Sequence, residues 1–186
     1  MPHIPLESHL PGITGLLEYR KETGQPIREL TEILLRGPSS LTRGDRELIA
    51  TVVSNGNQCK FCSAAHAATV DMLLGESETA RMVKTDISTA PVSEKMKALL
   101  TIADKVREDG KKVTSLHIET AKAAGASDIE IHDTVLIAAL FCLYNRYVDG
   151  MATAMPEDSG YFNVLADRLV NYGYFRLPQG YDHLKK

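Results

Sequence analysis

Between Glu47 and Val70 the chain reads ELIATVVSNGNQCKFCSAAHAATV, and few folds accommodate it: two helical segments meet at a short break, with an acid on the first and two cysteines and a histidine on the second. Leu48, Ile49, Val52 and Val53 recur at the three-to-four spacing of one buried helical face. Asn55-Gly56 ends that helix. Asn57 is the expected N-cap of the next one, since its side chain can accept from the free N–H groups beyond it. The stretch therefore predicts a helical hairpin with Cys59 in the first turn of its second arm.

An exposed thiol at Cys59 would lie near the positive end of the helix dipole and near unsatisfied N–H donors, which favour thiolate. Cys62 follows one turn later, a spacing at which the pair can close to a disulfide and reopen. His66 is a further turn along the same face, where an imidazole with a reference pKa of about 6.5 accepts a thiol proton at neutral pH. Glu47, across the hairpin, is placed to orient that imidazole. The dipole singles out Cys59 as the attacking sulfur and the histidine spacing singles out Cys62. The two roles are exchangeable on sequence, and the reading leans to Cys62. Two plainer readings stand beside this one: inert core cysteines, or half of a structural zinc site, which needs four ligands. The remaining cysteine, Cys142, sits in an apolar helical run and reads as a small buried hydrophobe, so no metal is expected.

Glu47, eleven intervening residues, Cys59-x-x-Cys62, three more residues and His66 resemble the signature of the alkylhydroperoxidase D-like (AhpD-like) group within the carboxymuconolactone decarboxylase superfamily. The Asn57-x-Cys59 lead-in and Phe61 are also similar to that group. Tyr144-Asn145-Arg146-Tyr147-Val148-Asp149-Gly150 resembles a segment of its peroxidase-related branch, so the likeness runs from about Leu41 to Pro156. Some members carry a histidine just before the second cysteine; Phe61 stands there here, and no proton transfer by such a histidine carries over. The resemblance implies a helical core around the hairpin and assembly as trimers or hexamers. It also implies no bound cofactor and an external dithiol reductant, a lipoylated protein or a thioredoxin-like donor.

At 186 residues, 44% of them hydrophobic, the chain suits a single domain over 1–186, with 1–40 an N-terminal helical extension and 157–186 a C-terminal tail. Its 21 basic and 24 acidic side chains give a net charge of −3 without a basic block, which argues against nucleic acid as a partner. No apolar run reaches the roughly 18 residues of a membrane span, and the start MPHIPLESHLPG lacks the basic opening and apolar run of a signal peptide. A cytoplasmic location with no membrane contact is expected. In a reducing compartment a CxxC is more often catalytic than a permanent staple.

Strand signals are nearly absent, and the chain is expected to be all-α. Residues 1–12, with three prolines, read as an extended arm. Helices are predicted at Ile13–Tyr19, Ile27–Leu35, Leu41–Ser54, from the cysteines to about Gly75, Glu76–Lys84, Ser93 to Gly110, Val113–Ala124, Ile129 to about Met155, and Tyr161–Val170. Thr42 is a predicted N-cap, as is Ser127 or Asp128. The Ile129 helix is apolar nearly all round in its middle, so it crosses the core or buries a second face in another subunit, and a homo-oligomer is expected. His117 and His132 read as surface or satisfied core residues. Asn145, Arg146 and Asp149 read as a polar hairpin or subunit contact, with a role at the site kept open by the resemblance. The closing NYGYFRLPQGYDHLKK is aromatic-rich without a clear period.

These readings converge on a peroxiredoxin-type alkylhydroperoxidase that reduces hydroperoxides through a CxxC dithiol/disulfide cycle, with Glu47, Cys59, Cys62 and His66 as its catalytic residues. One rival is a carboxymuconolactone decarboxylase-like enzyme, although decarboxylation has no use for a dithiol. Another is a non-enzymatic thiol redox sensor.

Overall fold

The computed structural model describes residues 1–158 and 160–181, and every regular element within them is helical. The α-helices are α1 (Ile13–Tyr19), α2 (Lys21–Arg36), α3 (Arg43–Gly56), α4 (Lys60–Leu74), α5 (Glu78–Thr85), α6 (Glu94–Glu108), α7 (Ser115–Ala123), α8 (Asp128–Gly150) and α9 (Tyr161–Tyr172). The α3–α4 hairpin is central: α6 and α8 pack on α3, and α9 lies along α4. Leu48, Ile49 and Val53 of α3 meet Val70 of α4, Leu99, Leu100 and Ile102 of α6, and Ile137 and Phe141 of α8 in one solvent-free core. Burial of side chains this size contributes about 1.5–3 kcal/mol each.

The apolar face expected of α3 is buried, and so is most of its polar side. Thr42 caps the helix through a reciprocal box: its hydroxyl accepts from Asp45 N–H at 3.1 Å, and the Asp45 carboxylate accepts from Thr42 N–H at 3.0 Å. Arg46, 4% exposed, donates to the carbonyls of Leu34 and Gly37 and so ties α3 to the end of α2. Donation from Nε and Nη1 to three backbone carbonyls is how a charged side chain is tolerated there.

Most helix boundaries shift by one or two residues from the periodicity, and two differ by more. α2 begins at Lys21 rather than Ile27 and carries Pro26 inside it. It survives the missing N–H because it packs hard on α1: a Cβ at Gly24 would stand 2.2 Å from the Leu17 carbonyl oxygen. α8 stops at Gly150, short of Met155. There the N-terminal arm takes over the carbonyls, His3 N–H donating to Met151 O and Gly12 N–H to Ala154 O. Met151 packs against the core while Ala154 and Met155 are exposed, so the apolar run at 151–155 does not mark a buried helical face.

Glu130, 3% exposed, fastens the start of α8 to two other elements. It accepts from Lys95 of α6 at 2.8 Å, from Ser40 before α3 at 2.9 Å and from its own N-cap Ser127 at 2.8 Å. Burial alone would push this carboxyl up, but those donors outweigh it and hold the group at about 2, below its ordinary 4.5. The stabilisation is therefore complete above pH 4.5 and is lost as pH falls through about 2. Glu130→Gln is expected to lower stability at pH 7 by about 1–3 kcal/mol. In urea unfolding the gap between wild type and variant should narrow on acidification; a gap constant with pH would contradict the assignment.

No helix among the described residues is long and apolar enough to cross a membrane.

Candidate active site

The turn between α3 and α4 places the cysteines differently from the sequence expectation. Asn57 is the C-cap of α3, not the N-cap of α4; the N-cap is Cys59 itself. The chain reverses through Gln58, whose φ of 60° is in the left-handed region that L side chains occupy at a cost of roughly 1–2 kcal/mol. The turn is held by Gln58 N–H on Asn55 O at 2.9 Å and Cys59 N–H on Ser54 O at 3.0 Å. Asn57 is thereby freed to donate to Asn145 Oδ1 at 2.9 Å, and Asn145 in turn donates to Ser54 Oγ at 3.1 Å. Asn145, 1% exposed, thus joins α8 to the cysteine turn.

Neither thiol is exposed, contrary to expectation for Cys59: Cys59 is fully buried and Cys62 is 3% exposed. Cys59 is nevertheless held below the ordinary thiol range. The main cause is the Cys62 thiol donating to it, which more than offsets burial. Cys62 is pushed well up, first by that hydrogen bond to Cys59 and then by burial, with Asn145 partly opposing and the charge of Asp149 adding to the rise. Asn145 and Asp149 therefore act on the cysteines electrostatically, whereas Arg146 is exposed and donates to the Cys142 carbonyl. Cys142 is half-buried rather than a core residue, with Asn57 Nδ2 3.6 Å from its sulfur.

His66 lies two turns into α4, and its Nδ1 is 2.6 Å from Glu47 Oε2 across the hairpin. Glu47 is 2% exposed and His66 7%. An ionised carboxylate only accepts, so facing Glu47 the His66 Nδ1 carries a proton, and in the neutral imidazole this leaves Nε2 as the acceptor. The edge of Phe141 packs on the imidazole, ring centroids 4.5 Å apart, and fixes its plane. Cys62 and His66 both line a cavity of about 50 Å³ walled by α1, α2, α4, α8, α9 and the chain beyond α9. At roughly 10–15 Å³ per water-sized centre, it has room for a few such groups. Cys59 does not line this cavity.

The segment read as a period-free tail supplies a wall residue that periodicity missed. Tyr174 donates its hydroxyl to Glu47 Oε1, and its ring lies parallel to His66 at 6.3 Å. Burial first, then the Glu47 charge, raises this phenol far above its ordinary value, so it remains a donor throughout the accessible pH range. The only hint in sequence is the density of tyrosines after Val170. Tyr174→Phe leaves a buried carboxylate oxygen without its donor and is expected to destabilise the protein by about 1.5–3 kcal/mol in chemical denaturation. A variant as stable as wild type would show that the contact carries no net weight.

His117 forms part of the cap of α7, accepting from Thr114 N–H at 3.1 Å, and exposed His132 faces Asp133. Among the described residues, no three or more His, Cys, Asp or Glu side chains gather as a metal site.

Residues 21–84, spanning α2 to α5, match the model of the Carboxymuconolactone decarboxylase family. Comparison with curated protein sequences returns no match. Among solved structures, the chain is similar to an uncharacterized peroxidase-related protein from Silicibacter, with 26% identity and a TM-score of 0.74 over 82% of this chain and 78% of that one. It is also similar to an uncharacterized peroxidase-related protein from Ralstonia eutropha described as an alkylhydroperoxidase AhpD core, with 24% identity and a TM-score of 0.75 over 84% of this chain and 80% of that one. A protein of unknown function from Agrobacterium tumefaciens shares the fold at 22% identity and a TM-score of 0.67, over 77% of this chain and 97% of that one. The hairpin geometry, the family match over residues 21–84 and these likenesses agree: the chain is similar to AhpD-like proteins of the carboxymuconolactone decarboxylase superfamily.

Proposed function

We propose that the protein is a cysteine-based peroxidase that reduces organic hydroperoxides with electrons from an external dithiol. The observation that carries this reading is that Cys62 and His66 face one cavity while Glu47 holds the far side of the imidazole. Cys62 is protonated at rest, so attack requires a base, and His66 Nε2 is that base, directly or through one water. As the proton leaves, the Cys62 sulfur attacks a peroxide oxygen. The S–O bond forms, the O–O bond breaks, sulfur loses two electrons to become a sulfenic acid, and the alkoxide departs as alcohol with the proton from His66. Cys59, held low and one turn away, then attacks the Cys62 sulfur, and water leaves as the disulfide forms. Exchange with a dithiol, a lipoylated protein or thioredoxin-like donor, restores both thiols.

Consumption of tert-butyl hydroperoxide with added dihydrolipoamide tests this. Turnover well beyond one equivalent per chain is expected. A single equivalent would instead indicate a redox sensor, and release of carbon dioxide from a carboxylated lactone would indicate the decarboxylase. The buried dithiol beside a base supports the peroxidase over that second enzyme.

The same reading includes a homo-oligomer. It is supported by apolar side chains left exposed on three helices: Leu30 and Ile33 on α2, Ile129 and Leu143 on α8, Val164 and Tyr172 on α9. Light scattering at micromolar concentration is expected to give a multiple of the 20.4 kDa chain mass, and the monomer mass would contradict it.

A further inference from the structure

Charge is out of balance at the end of the cavity made by α2, α9 and the chain beyond. Arg28 and Arg168 both line the cavity that Cys62 and His66 face. The two guanidiniums converge on one neutral acceptor, the Tyr181 hydroxyl, at 2.9 and 3.1 Å, and each lies 5.7 Å from the centre of its ring. The nearby carboxylate, Glu18, accepts from Arg28 at 2.9 Å and from Arg176 at 2.9 Å, so it faces more guanidinium than it can neutralise. Glu47 is engaged by His66 and Tyr174. Among the described residues Arg168 has no carboxylate partner, and its buried Nε–H has no acceptor. A half-buried cation without a counter-charge and an unpaired buried donor are each costly, and a guanidinium with donors to spare fits a carboxylate in shape and charge.

We propose that this corner binds the carboxylate of an acidic organic hydroperoxide, making short-chain hydroperoxy acids the preferred substrates. The inference rests on the peroxidase reading for its reaction, while the anion site rests on the arginines. The same small cavity holds both the arginines and Cys62, so the carboxylate must lie only a few bonds from the O–O group. A long chain between the two would not fit.

The test uses α-hydroperoxyisobutyrate and tert-butyl hydroperoxide, which differ by a carboxylate in place of one methyl. For wild type, kcat/KM is expected to favour the acid by about tenfold or more, the weight of one hydrogen bond to a charged group. In Arg168→Gln the ratio should fall toward one, and Arg168→Lys should restore part of it. Equal rates in wild type, or a ratio unmoved by Arg168→Gln in a protein of native circular dichroism, would overturn the proposal. The non-oxidising product α-hydroxyisobutyrate, titrated calorimetrically, reads the site without turnover, and its affinity should drop about tenfold in Arg168→Gln. If it binds in this way while no peroxide is consumed, the anion site stands and the peroxidase reading falls. If peroxide is turned over with neither preference nor binding, the peroxidase reading stands and the anion site falls.

Discussion

Cys62→Ser is expected to abolish peroxide turnover, a loss of at least about a thousandfold, because removal of a nucleophile takes away the step itself rather than an aid to it. Cys59→Ser should behave differently. With Cys62 intact and facing the cavity, one equivalent of peroxide is consumed, and the oxygen remains on Cys62 as a sulfenic acid with no neighbouring thiol to condense with it. Wild type given one equivalent should instead show a Cys59–Cys62 disulfide with half-buried Cys142 still free. Mass spectrometry of the three proteins before and after peroxide distinguishes these outcomes. Oxygen recovered on Cys59 in the Cys62→Ser protein would exchange the two roles. Cys142 in the bridge would sink the scheme.

His66→Gln is expected to slow alkylation of Cys62 near neutral pH by about a hundredfold or more, the usual contribution of a positioned general base. Glu47→Gln should slow it less, since the imidazole remains but loses the acceptor that fixes its tautomer. Hydroxide should replace the missing base as pH rises. Because hydrogen bonding to Cys59 and burial push Cys62 up, that rescue begins above the ordinary thiol range of about 8.5 rather than within it. A pH series of alkylation rates, with helicity checked by circular dichroism, tests this. Three superposable curves would reduce the histidine to a packed neighbour.

Much of the site is legible in the residues of the hairpin alone. The Glu47–His66 contact follows from two residues facing each other across it, and the hairpin follows from local signals: the apolar period of α3, the Thr42 box and the Asn-Gly break. The departures in the same stretch have local causes too. Asn57 and Cys59 are two residues apart, and propensity favours asparagine as the cap; the left-handed turn at Gln58 and the pull of Asn145 on Asn57 decide otherwise. Cys59 is indeed the lower of the two thiols, but the first cause is the Cys62 thiol donating to it, and the site is buried rather than open to water.

The sequence by itself determined the all-helical architecture, most helix positions and the spacing of Glu47, Cys59, Cys62 and His66, because helix period and capping depend on residues within a turn of one another. Only the tertiary structure decided that both thiols are buried, that Cys62 rather than Cys59 faces the cavity, and that Tyr174 reaches Glu47 from 127 residues away. It alone decided that Arg28 and Arg168, 140 positions apart by their numbers, meet at one tyrosine. Burial, pKa and charge balance are sums over neighbours in space, and for Glu47 and the arginine pair the deciding neighbours include residues near the ends of the sequence, where no local period announces them.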